Sequence, residues 1–312
     1  MLVKIIIYSC LTQFNLQSHI FSDGIRYQLA NNSTKAIEKY KIIEEYTPNS
    51  SELLFQIGVA YYSLNNFNTS MHYFNKVLDI KQNDIDSLHY LGVISASNDK
   101  NEEAIKYFLT ALSLQPDNFE ILLNTGLIYA EINKNSEALK YCHRALKLKP
   151  NDHQTLYNIG KLYRYIETPD EKKAIIYLKK ALLLKPNDIG TLMHLGYAHK
   201  FIADNKGAIF YTTKALELDS KDYYALFNLG YLWILEGNFA KAKKYLEQAY
   251  ALQNDDFEVL SNLGLVNYEL NQLPAAIAYF EKALELAPNE ENIKMNLKSA
   301  LEKLNRCNLC GC

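Results

Sequence analysis

Three of the five cysteines, Cys307, Cys310 and Cys312, stand within the last six residues, the densest cluster of nucleophilic or metal-ligating side chains in the chain. Three chemistries suit them. Free thiols on a solvated tail need no partner. Lipids attached at Cys310 and Cys312 would tether the chain to a membrane, although no cysteine stands fourth from the end, as a four-residue prenylation box requires. A metal could use Cys307 and Cys310 as a Cys-x-x-Cys pair, but a closed zinc site needs four ligands and no second pair lies nearby. An odd, unevenly spread set of cysteines excludes a disulfide framework and favours a reducing, cytoplasmic setting.

Catalytic signatures are absent. The sequence contains no phosphate-binding P-loop, no dinucleotide-binding glycine motif, no G-x-S-x-G and no H-E-x-x-H. His194 and His199 are five residues apart, a poor spacing for a shared metal on one helix. The reading is therefore a non-enzyme without a cofactor or metal. A net charge of -2 argues against nucleic acid, whose binders carry a basic excess. No run is long and apolar enough to span a bilayer. The apolar start from Met1 to Cys10 is interrupted by Lys4 and lacks a cleavage site, so it is expected to be a helix rather than an export signal.

Elements that could position a site follow from composition and spacing. Hydrophobic residues make up 48% of the chain, enough for a core, while 12 Gly and 7 Pro leave little material for the turns of an all-β fold. The glycines are periodic. Gly24, Gly58, Gly92, Gly126 and Gly160 lie 34 residues apart, Gly196 follows after 36, and Gly230 and Gly264 return to 34. A large aliphatic precedes each glycine by four, from Ile20 and Leu54 to Leu260. Small residues recur on the following stretch, such as Ala36, Ser70, Ala104 and Ala138, and Pro48, Pro116, Pro150, Pro186 and Pro288 close units. Within each unit two apolar stripes recur at helical spacing, as in Leu54, Ile57 and Tyr61 and then Tyr73, Phe74, Val77 and Leu78. A helical glycine costs about 1 kcal/mol relative to alanine, so glycine at one phase implies two helices in close approach. Cys142 falls at a packing position usually apolar in this array and is expected to be a buried thiol.

This pattern resembles the tetratricopeptide repeat over residues 17–290. The resemblance implies an all-α fold, an α-α superhelix (a right-handed solenoid) of eight stacked helical hairpins with a C-terminal capping helix. The units are 17–50, 51–84, 85–118, 119–152, 153–188, 189–222, 223–256 and 257–290. Residues 1–16 form an N-terminal helix placed to be the second helix of an incomplete earlier unit, 291–304 the capping helix, and 305–312 a Cys-rich tail. The fifth unit carries two extra residues in Ile166-Glu167-Thr168-Pro169-Asp170, a longer loop between its helices.

In the family the first helices line a concave groove, and that implies where a partner would bind. One groove position holds Asn124, Asn158, Asn228 and Asn262, which is similar to the asparagine ladder of O-linked GlcNAc transferases, where amides grip a peptide backbone. Asparagine is also common there as a locally bonded surface residue, and both readings stay open. An aromatic and basic stretch follows: Tyr157, Lys161, Arg164 and Tyr165, then Tyr197, Lys200 and Phe201, then Tyr224, Phe227 and Tyr231. Glu52, Asp86 and Glu120 make the early groove acidic. The expected function is a protein-interaction scaffold or adaptor whose groove binds a peptide or helical segment, with acidic and hydrophobic character, of a partner protein. The lysine position of the family's chaperone-tail clamp is filled in no unit, which argues against that ligand. Two alternatives are a substrate-recruiting arm of a glycosyltransferase-type enzyme, motivated by the asparagines, and a membrane-tethered adaptor, motivated by a terminal Cys-x-Cys similar to the prenylated ends of Rab GTPases.

Overall fold

The structure is a computed structural model that describes residues 2–310, with side chains described for 16–306. Among the described residues it is all-α, and it divides into two compact units at Pro150. The first holds α1 (Leu2–Leu29), α2 (Ser33–Glu44), α3 (Ser51–Ser63), α4 (Phe67–Ile80), α5 (Ile85–Ser97), α6 (Asn101–Leu114), α7 (Phe119–Glu131) and α8 (Asn135–Leu148). The second holds α9 (His153–Leu162), α10 (Glu171–Leu184), α11 (Ile189–Phe201), α12 (Asn205–Leu218), α13 (Tyr223–Leu235), α14 (Phe239–Leu252), α15 (Phe257–Glu269), α16 (Leu273–Leu286) and α17 (Glu291–Cys310). Within each unit every odd-numbered helix before α17 pairs with the next as a hairpin, the second helix of one hairpin packs on the first of the next, and α17 packs on α16. This is the stacking of an α-α superhelix, in which each repeat buries its core only against its neighbours.

Short polar residues set the helix boundaries. Ser50, Asp84, Asn118, Asp152, Asp188, Asp222 and Asp256 each accept a backbone N–H in the first turn of the helix that follows. Between paired helices the chain reverses through one left-handed residue: Asn31, Asn65, Asp99, Asn133, Ala203, Gly237 or Asn271, with φ between 56° and 69°. Asn, Asp and Gly tolerate that conformation, whereas Ala203 carries a Cβ without a compensating polar group. In each of these turns the next residue donates its N–H five residues back, as from Asn32 to Tyr27 (2.8 Å), Asn66 to Tyr61 (3.0 Å) and Lys134 to Tyr129 (2.8 Å), which closes the helix C-terminus.

The glycine phase marks a steric contact. A Cβ placed on any of the eight repeat glycines would come within 3.0 Å of one side chain on the facing helix. At Gly58 that side chain is Phe74 (2.8 Å), at Gly126 Cys142 (2.6 Å) and at Gly160 Leu178 (2.6 Å, with the Leu178 backbone nitrogen at 3.1 Å). Tyr40, Phe108, Thr212, Leu246 and Phe280 occupy the same place in their own hairpins. The small positions allow the same approach: Ala36, Ala104, Ala138, Ala174, Ala208, Ala242 and Ala276 are wholly buried, and Ser70 Oγ donates to the Gly58 carbonyl at 2.8 Å. Cys142 is a buried free thiol, and burial pushes its pKa up to about 12.

Three boundaries differ from the sequence reading. Residues 2–14 do not form a separate hairpin arm, because α1 runs unbroken from Leu2 to Leu29, and nothing between Cys10 and Gln17 stops a helix. The last helix passes Leu304 and continues to Cys310, so residues 305–310 are helical; no glycine or proline intervenes before Gly311. In the fifth hairpin the insertion shortens α9 to ten residues, and the chain from Tyr163 to Asp170 forms the turn. The closing bond survives with two more residues inside it: the Asp170 N–H donates to the Tyr163 carbonyl at 2.8 Å, and Asp170 caps α10.

The glycine contact yields a paired test. Gly160→Ala is expected to destabilise the protein by about 1 to 3 kcal/mol, since the gain in helix propensity is overridden by overpacking against Leu178. At Gly190, near the start of α11, an added Cβ would meet nothing closer than the Tyr157 hydroxyl at 3.4 Å, so Gly190→Ala is expected to be neutral or stabilising. Urea unfolding of both variants checks this, and equal effects would refute the steric reading of the phase.

Candidate functional site

In the second unit the sequence-predicted residues gather in two adjoining groups. The first surrounds Arg164, which follows α9. Its Nε donates to Glu171 at 3.1 Å, and its Nη1 stands 3.1 Å from His194 Nδ1. The guanidinium also lies 5.6 Å from the ring centroid of Tyr165 and 5.4 Å from those of Tyr197 and Phe201. Arg164 was expected as a cation offered to a partner, yet it is buried and paired within the protein. The longer turn of the fifth hairpin lets it fold inward onto Glu171. Burial lifts the Glu171 carboxyl above its usual range, and Arg164 pulls back only part of that. Lys161 remains exposed, one helical turn before Arg164.

His194 joins this group to its neighbours. An arginine can only donate, so the imidazole Nδ1 accepts and its proton resides on Nε2. The ring meets Tyr157 edge-on at 5.5 Å and Tyr197 at 6.3 Å. Burial first, and then the charges of Arg164 and Lys161, push the His194 pKa down to about 4. His199 belongs elsewhere: it stacks on Tyr211 and its Nδ1 lies 2.8 Å from Asp204. The two histidines share no site.

The second group lines a pocket of about 330 Å³, built from first helices, the start of α17 and the residue just before it. Lys200 of α11 reaches over the Tyr231 ring of α13, 4.6 Å from its centroid, with Phe227 on the same helix. From α15 come Phe257, Glu258, Ser261 and Asn262, and beyond it Glu290, Asn292 and Ile293. Lys200, Phe227, Tyr231 and Asn262, which the sequence reading picked separately, thus share one cavity wall. The acidic side chains and the contribution of α17 were not foreseen. The 34-residue phase could have located Asn292, which sits in the register of the residue that leads Tyr224 and Glu258 in earlier units.

The other asparagines are engaged internally. Asn228 Nδ2 donates to the Tyr197 hydroxyl (3.0 Å) and the Tyr224 carbonyl (2.6 Å). Asn158 is buried, its Oδ1 accepting from Gln154 at 3.3 Å. In the first unit Asn124 Nδ2 lies 2.9 Å from His89 Nε2. Asn124 and Asn228 therefore bridge neighbouring hairpins through their amides, rather than presenting a row of free groups. Of the early acidic residues Glu52, Asp86 and Glu120, the last pairs with Lys149 at 3.1 Å. Cys310 and Cys312 lie outside the residues whose side chains are described. Among the described residues no group of three or more His, Cys, Asp or Glu suits a metal, and no helix is long and apolar enough to cross a membrane.

Comparison with known proteins points one way. Profiles of the tetratricopeptide repeat match residues 51–84, 96–153, 153–188 and 236–291, together more than half of the chain. No curated protein matches the sequence. Among solved structures, the C-terminal part of a TPR repeat-containing protein from Cytophaga hutchinsonii aligns with a TM-score of 0.65 at 20% identity, covering 78% of this chain and 99% of that one. A tetratricopeptide repeat protein from Parabacteroides merdae gives 0.57 at 19% identity, covering 80% and 98%. YrrB, described as a TPR protein with an unusual peptide-binding site, gives 0.54 at 21% identity, covering 62% and 97%. At these identities the likeness concerns the fold.

The His194 environment fixes the sign of a pH effect. The unfolded chain takes up a proton near pH 6.5, while the folded protein keeps His194 neutral down to about 4. The unfolded state therefore binds more protons between these values, and stability is lost as pH falls from 6.5 toward 4. His194→Gln is expected to lose about 1 to 2 kcal/mol less than the wild type between pH 7 and pH 5. Urea midpoints at the two pH values measure the difference, and parallel losses would contradict the assignment.

Proposed function

As the chain belongs to the tetratricopeptide repeat family, whose repeats are scaffolds for protein–protein contacts, we propose that it is a non-enzymatic adaptor that binds a peptide or helical segment of a partner protein along the first helices of its second unit. One observation carries this reading: Lys200, Phe227, Tyr231 and Asn262 open into a single pocket whose walls come from consecutive first helices. Aromatic rings beside a cation and an amide are the side chains that dominate binding hot spots. They lie on a rigid frame, so little conformational entropy is lost when a partner docks. Exposed Tyr165, Phe201 and Tyr224 extend apolar surface from this pocket toward the Arg164 group.

The partner of this surface is a segment with apolar side chains and at least one carboxylate. Lys161 and Lys200 supply the attraction, while Arg164 acts from beneath by holding Tyr197 and Phe201 in place. This reading gives the tetratricopeptide hairpins a role as frame and the first-helix side chains a role as reader.

The test is recovery of partners on the full-length chain from its native cells, with Tyr231→Ala and Lys200→Ala set against Phe210→Ala, an exposed aromatic on a second helix. Truncating a hot-spot side chain costs about 2 kcal/mol, so the first two variants are expected to recover at least tenfold less of the partners, and Phe210→Ala as much as the wild type. Equal recovery by all three, with unchanged helix content by circular dichroism, would overturn the site.

A further inference from the structure

The pocket of the second unit is lined by a cation on α11 and by carboxylates on α15 and just before α17. Lys200 is half buried, and its ammonium faces the Tyr231 ring; among the described residues no carboxylate forms an ion pair with it. Burial, and then repulsion from Arg164, pulls its pKa below the usual lysine range, and Glu258 opposes this only in part. A partly desolvated ammonium with no carboxylate in contact is a group that a ligand carboxylate would stabilise. Exposed Glu258, whose charge Lys200 senses, stands on α15, and exposed Glu290 just before α17. Because α13, α15 and α17 pack in chain order, with α11 before them, the charges are ordered along the pocket: positive at α11, apolar at Phe227, Tyr231 and Phe257, negative toward α17.

We propose that this pocket selects a dipolar peptide segment, with a carboxylate side chain on Lys200, apolar side chains over Tyr231 and Phe257, and a basic side chain against Glu258 and Glu290. The proposal rests on the peptide-binding reading above and narrows it. A uniformly acidic segment would meet Glu258 and Glu290, and like charges brought together disfavour that partner. A uniformly basic one would meet Lys200 in a place already poor in water. The amide of Asn262, which lines the same pocket, can donate to or accept from a peptide backbone without regard to side chain.

Fluorescence anisotropy on the full-length chain tests the charge order with three labelled probes: Glu-Leu-Phe-Leu-Lys, the doubly acidic Glu-Leu-Phe-Leu-Glu and the doubly basic Lys-Leu-Phe-Leu-Lys. The mixed-charge probe is expected to bind about tenfold more tightly than either of the others. Lys200→Glu should move the preference to the doubly basic probe, and Glu258→Lys with Glu290→Lys should move it to the doubly acidic one. These positions are exposed or half buried, and circular dichroism confirms that the helices are retained. Equal binding of the three probes, lost in Tyr231→Ala, would overturn the dipolar assignment and leave the interaction surface standing. A wild-type preference that the charge swaps do not move would overturn it as well. Binding of none of the probes would also overturn it, while partner recovery decides the interaction surface separately.

Discussion

Everything in this protein depends on how closely two antiparallel helices can approach. One residue without a side chain on the first helix accepts one side chain from the second, and the hairpin core is organised around that contact. Its weak intrinsic helix propensity is offset by the burial that the approach permits. The receiving side chain varies from Phe74 to Leu178 to Cys142, so the hairpins tolerate very different volumes as long as the glycine remains. Cys142 and Thr212 are the small extremes, and each sits in a hairpin whose neighbours carry larger groups. The first helices, once seated, bring residues of consecutive hairpins side by side, and the pocket around Tyr231 is a product of that spacing.

Repetition is what made this architecture legible before any coordinates. Glycine, alanine and proline recur because backbone approach and chain termination allow few substitutes, so their positions survive as a period. Side-chain direction at the surface is less constrained. Arg164 illustrates the limit: its place in the register pointed outward, while a two-residue insertion and Glu171, seven residues later, turned it inward. The asparagines failed as an open row for a related reason. An amide beside a neighbouring hairpin finds partners there, Tyr197 for Asn228 and His89 for Asn124, and no single-chain spacing reveals that pairing.

Many of the 24 tyrosines belong to the frame rather than to a binding face. Tyr73, Tyr107, Tyr141, Tyr177, Tyr211, Tyr245 and Tyr279 occupy one phase of the second helices. Several stack on a ring of the first helix: Tyr61 with Tyr73 at 5.8 Å, Tyr129 with Tyr141 at 5.4 Å, Tyr163 with Tyr177 at 5.6 Å and His199 with Tyr211 at 5.2 Å. Cations flank some of them, as Lys76 does Tyr73 and Arg144 does Tyr141. This row was as periodic as the glycines. A large amphipathic ring suits both a core and a binding face, so its period alone does not say which. Tyr197, Tyr224 and Tyr231, by contrast, are carried by first helices to the candidate site.

The turn of the fifth hairpin also says something about how such a chain can change its length. Asp170 still reaches the Tyr163 carbonyl, still caps the next helix, and the glycine contact with Leu178 is kept. The added residues are looped out inside a closed hydrogen bond, so the register of the helices on either side is kept even though Arg164 within the loop reaches α11. That joint is where new sequence could be grafted or a reporter spliced without re-registering the helices on either side.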